Sequence, residues 1–203
     1  FAVRGWISDK LPIPQSASCV ISNSPYTLST EQAANAATIS AIATARKLPT
    51  RAVTIALAAA LQESKLINIE YGDRDSVGLF QQRPSQGWGS QGQIMDPRYS
   101  AARFFDALVK VKGWQAMKLT AAAQAVQKSA HPTAYQRWED QATTLAKAFV
   151  GAEPALVSCS FPEPTVAASP AKVMQLLDLE LPATQLSTSA QIGELRADTP
   201  WAT

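Results

Sequence analysis

The sequence has no uninterrupted apolar run of about 18 residues or more, so it holds no segment for spanning a bilayer. It has one histidine, His131, and two cysteines, Cys19 and Cys159, with no Cys-x-x-Cys spacing. That leaves too few ligands for a zinc centre. Charged residues make up 17% of the chain and the net charge is +2. No block of Lys and Arg exists, so electrostatic capture of a nucleic-acid backbone has no footprint. A charged–apolar–small signal peptide is also missing from the start. The opening Phe1-Ala2-Val3-Arg4-Gly5-Trp6 lacks a Met and reads as the interior of something longer. The expectation is an exported chain that a signal or anchor once preceded.

What is present is 203 residues at 46% hydrophobic content, enough for one good core. Ala, Ser, Thr and Gln fill the space that charge leaves empty. The resulting surface is neutral and rich in hydrogen-bonding groups, which suits an uncharged polar partner such as a polysaccharide. The two cysteines admit two readings: separate buried thiols, or one disulfide joining the ends of a domain in an oxidising compartment. A bridge closing so long a loop stabilises by roughly 5 kcal/mol in the chain-entropy model.

Residues 1–28 read as irregular, interrupted by Pro12, Pro14 and Pro25. Ser29 and Gln32 have capping-box spacing, and an Ala-rich helix follows to Arg46. Leu48-Pro49-Thr50 breaks it. A second helix, apolar nearly all round, runs from about Pro49 or Thr50 to Leu66 and belongs in the middle of a domain. Residues 67–96 hold 5 of the 9 glycines. Their one strand-like run, Ser76 to Gln82, predicts a small hairpin or loop lobe. Asp96 caps a helix with Pro97 at its first position, running to about Val111. Thr120 is expected to cap a short helix to about Ser129. Pro132 is expected to open another through Tyr135 and Trp138 to Val150, ended by Gly151. After Cys159, prolines among Ser, Thr and Ala read as a linker, with a short helix possible over Ala171 to Leu179. The organisation is thus an irregular segment 1–28, a main domain 29–159, and a linker with a tail or truncated second module over 160–203.

Glu63 stands out because residues 52–62 carry no charge. One reading is a solvated helix-end carboxylate. The other is a desolvated carboxyl that can hand its proton to a leaving oxygen. Downstream come Tyr71-Gly72-Asp73-Arg74 and Gly78-Leu79-Phe80-Gln81. With Glu63-Ser64, these ordered motifs resemble goose-type lysozymes and soluble lytic transglycosylases, which pair a helix-borne Glu-Ser with a Gly-Leu-Met-Gln hairpin. The longer stretch from Gly72 to Gly89, together with Ala123 to Ser129 and Ala134-Tyr135, resembles a family of exported actinobacterial proteins. That likeness spans about residues 26–159 and takes in the flanking cysteines, which supports pairing Cys19 with Cys159. A third lysozyme-like motif, Ala-Tyr-Asn-x-Gly, is replaced here by Ala125-Val126-Gln127-Lys128-Ser129.

The resemblance implies a mainly α fold with a small β hairpin, lysozyme-like, with a substrate cleft. It implies peptidoglycan glycan strands as substrate, Glu63 as general acid, and no metal or cofactor. Inverting hydrolysis needs a second carboxylate about 6.5–9.5 Å away to activate water. Asp73 is the first candidate and Asp75 the second, and both are equally readable as turn residues. Gln82 and Arg83 stand where goose-type enzymes carry a further acid. That tilts the expectation towards a transglycosylase, in which the same Glu serves as acid and then base. Gln81, Gln82 and Gln127 are candidates for bonding sugar hydroxyls or N-acetyl groups. Tyr71 and Trp88 are candidates for stacking on sugar rings, with core packing as the alternative for Trp88. Ser64, Gly78 and Tyr135 complete the expected substrate-binding set, Gly78 also being readable as a site of close backbone approach. The chain is expected to be a cell-wall-associated monomer that binds no nucleic acid. The rival readings are a non-catalytic cell-wall binding or scaffolding domain, and an exported adaptor acting through residues 160–203.

Overall fold

Helices rich in alanine can approach one another closely, and the core of this protein is built that way. A computed structural model describes residues 17–152, 155–161, 169, 171, 175, 185–189 and 194–198. The described residues include six helices: α1 Thr30–Ala45, α2 Thr50–Ser64, α3 Gln91–Ile94, α4 Pro97–Leu108, α5 Leu119–Gln127 and α6 Glu139–Phe149. Helix α2 is the axis. Every residue from Ala52 to Leu61 is buried, and α1, α4, α5 and α6 all pack against it. The stretch from Ala52 to Leu61 is apolar apart from Thr54, which allows neighbours on every side. The fold is mainly α with a small β component, as the sequence predicts.

The helix starts follow their local chemistry in two cases. Ser29 and Gln32 form a reciprocal capping box at α1. The Asp96 side chain accepts from the Arg98 amide, with Pro97 opening α4. Two other starts differ from expectation. Helix α5 begins at Leu119 with Lys118 at its N-cap, and the Thr120 hydroxyl donates instead to Pro132 O at 2.7 Å. Pro132 opens turns and a short 3-10 segment, Gln136–Trp138, and α6 starts only at Glu139. The cause is Tyr135, which is fully buried and holds the chain inward at that point.

The β structure lies elsewhere than predicted. Val77 and Gln82 form a single antiparallel bridge rather than a hairpin of strands. The sheet instead joins β1 Ser18–Ile21 and β2 Thr27–Ser29, which fall almost wholly in the segment read as irregular, to β3 Val157–Ser160 at the end of the main domain, in the order β2-β1-β3. Cys19 and Leu28 face the core across the first pair, and Cys19 sits opposite Cys159 in the second. Cys19 and Cys159 are joined by a disulfide, which closes a sequence separation of 140. Beyond it, β4 Gln185–Ser189 and β5 Glu194–Asp198 pair antiparallel, in a region read from sequence as linker and tail. Residues 1–16, and the expected helix over Ala171 to Leu179 apart from two positions, lie outside the described residues. Among the described residues no helix is long and apolar enough to cross a membrane.

Candidate active site

Glu63 is the penultimate residue of α2, and the way α2 stops decides where Glu63 points. Lys65 and Leu66 both take left-handed conformations, φ 58° and 62°. Each costs of order 1 kcal/mol in a non-glycine residue. The surroundings hold them there. Leu66 is fully buried, and the carbonyls it and Lys65 present are taken by two α1 side chains. Gln32 Nε2 donates to Lys65 O and Asn35 Nδ2 to Leu66 O, each at 2.8 Å. Ser64, expected to bind substrate, is buried and locks the helix end to the following loop, its hydroxyl donating to Leu79 O at 2.8 Å.

Glu63 itself is half-buried and lines a cleft of about 420 Å³. The cleft is also lined by Asp73, Gln81, Gln82, Trp88, Gln127 and Ser129, among others. The Tyr135 hydroxyl donates to Glu63 Oε1 at 2.7 Å. Burial pushes the Tyr135 phenol well above its ordinary range, so it remains a donor at any working pH. The other carboxyl oxygen of Glu63 has no hydrogen-bond partner among the described residues. On the far side of Glu63, Lys65 Nζ lies 4.4 Å from the centre of the Trp138 ring and the Arg137 guanidinium 5.1 Å. Desolvation and Arg137 hold Lys65 below the usual lysine range, and Glu63 opposes that shift. Gln62 accepts from Arg137 Nη2 at 2.8 Å and from Trp138 Nε1 at 2.9 Å.

Gln81, Gln82 and Gln127 all line the cleft, with their amide nitrogens bonded to backbone carbonyls. Gln81 donates to Tyr71 O at 3.3 Å and to Gly78 O at 3.2 Å, with a left-handed φ of 49°. Gln127 donates to Phe80 O at 2.8 Å. Gln82 is 2% exposed, donates to Ser100 O at 3.1 Å, and keeps Oε1 buried without a partner among the described residues. A buried acceptor of that kind is costly unless something meets it. Trp88 is half-buried, packing on the core while lining the cleft.

Other expected residues fall outside the cleft lining. Asp75 is engaged in its own loop. It accepts from Ser85 N at 2.8 Å, Ser85 Oγ at 3.0 Å and Arg83 Nε at 2.6 Å. The backbone bond from Ser85, then its hydroxyl and Arg83, hold the Asp75 carboxyl far below the usual range. Its role is turn chemistry. Gly78 sits at φ +80°, and a Cβ there would lie 2.9 Å from Ile94 O, so it is structural. Tyr71 is 75% exposed and away from the cleft wall. Asp73 does line the cleft, yet its side chain is 93% exposed and 3.9 Å from Arg74 Nε.

Several residues of this region were not read from the sequence: Gln62, Gln86, Lys128, Ser129 and Arg137. Gln86 lies inside the Gly72–Gly89 stretch and could have been marked. Gln62 could not, because its partners lie more than seventy residues away. Among the described residues no group of three or more His, Cys, Asp or Glu side chains is placed to hold a metal ion. No protein-family model matches the chain, and no curated protein matches it.

Proposed function

We propose that this protein cleaves peptidoglycan glycan strands outside the cytoplasm, with Glu63 as proton donor. The observation that carries this reading is a half-buried carboxyl, bonded by a buried tyrosine, in a cleft whose lining includes the amides of Gln81, Gln82, Gln86 and Gln127 and the rings of Phe80 and Trp88. Amides pair with the hydroxyl and acetamido groups of an uncharged sugar polymer. The free oxygen of Glu63 is available to the leaving glycosidic oxygen. As the sugar–oxygen bond breaks, its electron pair goes to the leaving oxygen, which takes the Glu63 proton. The sugar carbon becomes oxocarbenium-like.

The next step depends on what attacks that carbon. Asp73, the carboxylate expected to activate water, is solvated and beside Arg74. Asp75 is tied into its loop. Glu63, now a carboxylate, is the base nearest the reaction. Attack by the sugar's own hydroxyl, with its proton returning to Glu63, closes an anhydro ring and restores the starting acid without consuming water.

Mass spectrometry of fragments released from purified peptidoglycan tests both parts. Anhydro ends are expected from the wild type, and no fragments from Glu63→Gln. Reducing ends from the wild type overturn the intramolecular step in favour of water attack. Binding without turnover in both proteins replaces the enzyme with a non-catalytic wall-binding domain.

A further inference from the structure

A second chamber of about 460 Å³ adjoins the cleft, and its chemistry is different. The two share Gln86, Trp88, Gln127 and Lys128 as a common wall. Beyond that wall lie Arg103 and Lys110, which with the shared Lys128 line the chamber beside one carboxylate, Asp106. Asp106 is already matched, with Arg46 Nη1 at 2.9 Å and Arg103 Nη1 at 3.7 Å. The lysines therefore give the chamber a net positive field. Arg103 Nε is buried and has no hydrogen-bond partner among the described residues. Ala107 and Val126 supply an apolar wall beside these cations.

We propose that this chamber binds the carboxylate-bearing peptide stem that branches from the glycan strand. The inference rests on the glycan reading above and extends it to a part of the substrate beyond the cleft around Glu63. Three features favour it. The chamber shares the wall of Trp88 and Gln127 with the cleft, so it adjoins the place a strand in the cleft would occupy. Its volume falls in the range of ligand clefts, about 300–1,000 Å³. Its pairing of small apolar groups with cations matches a short peptide that carries methyl groups and carboxylates. Carboxylate bonds to Lys or Arg are charge-assisted, so each contributes more than the neutral amide contacts of the cleft.

The test is a binding measurement in the Glu63→Gln background, so that cleavage does not interfere. The probes are soluble glycan chains bearing their peptide stems, and the same chains stripped of stems by an amidase. The stem-bearing chains should bind about tenfold more tightly, with that preference weakening as salt rises. Lys110 is exposed and lines the chamber but not the cleft, so Lys110→Glu should fold and should abolish the preference. Equal affinity for the two probes overturns the inference, as does a preference that survives Lys110→Glu. Cleavage by the wild type combined with equal affinities leaves the enzyme reading standing without this site. A Lys110-dependent preference without cleavage leaves the site standing without the enzyme. Binding of neither probe overturns both.

Discussion

Glu63 and Asp75 show how differently two carboxylates behave within one site. Glu63 lines the cleft and, among the described residues, has one hydrogen bond, from Tyr135. Replacing it with Gln keeps the acceptor for Tyr135 and removes the transferable proton. Cleavage should fall by about 10²–10⁴-fold, more if the same group also acts as base, while the melting temperature stays near wild type. Equal rates for the two proteins would send the search for the acid elsewhere, to Asp73 first. Asp75 is the opposite case, with three donors on its carboxylate. Its folded pKa is depressed, so the stability it supplies is present above the ordinary aspartate value of about 3.9. That stability is lost as pH falls through the lower folded value. Asp75→Asn should therefore melt below wild type at neutral pH, and the gap should close as acid is added. Thermal melts across a pH series check this, and a gap of constant size would show that charge contributes nothing there.

At the scale of elements, the loop between α2 and α3 depends on one glycine. Gly78 donates to Ile69 O at 2.7 Å and holds φ at +80° against the Ile94 carbonyl. Nearby, Asn68 ties the same loop to Glu31 of α1 and to Met95. Gly78→Ala brings both a left-handed penalty of roughly 1–2 kcal/mol and a close contact with backbone. Denaturant unfolding should show a loss of at least about that size. Glycan binding should weaken too, because Gln81 and Gln82 sit three and four residues further along the displaced loop. Unchanged stability would mean that the loop relaxes freely around position 78.

For the whole molecule, the sheet and its disulfide join the two ends of the helical unit. Cys19 and Cys159 are in register across β1 and β3, so the covalent bond and the strand pairing constrain the same place. The loop between them spans 140 residues, and removing the bridge should cost up to about 5 kcal/mol in the chain-entropy model. Comparing the denaturation midpoint of the wild type with that of a Cys19→Ala, Cys159→Ala double variant measures it. The helices should survive, since α1, α2 and α6 pack on one another without the sheet. A midpoint that does not move would show that the strands alone hold the ends together.

Local chemistry was legible in the sequence wherever it acts over a few residues. The Ser29–Gln32 capping box and the Asp96-Pro97 start declare themselves because each is a contact within one helical turn. The burial of α2 was equally plain, since Ala52 to Leu61 is apolar but for Thr54 and leaves no face for water. The resemblance of Glu63-Ser64 and Gly78 to Gln81 named a group of residues, of which Glu63, Gln81, Gln82 and Gln127 do share one cleft. The rest was decided by partners far away in the chain. Ser18–Ile21 looks irregular until Val157–Ser160 supplies its missing hydrogen bonds. The start of α6 carries Glu139 and Asp140, a proper acidic first turn, but Pro132 is the louder signal until Tyr135 is seen reaching Glu63. Asp73, Asp75 and Tyr71 have the right residue types for a sugar site. Only the folded loop shows that Ser85 and Arg83 take up Asp75, that Asp73 stands in solvent, and that Tyr71 lies off the cleft wall. A short sequence pattern records which groups are available, and their use depends on hydrogen bonds and burial that form when distant segments meet.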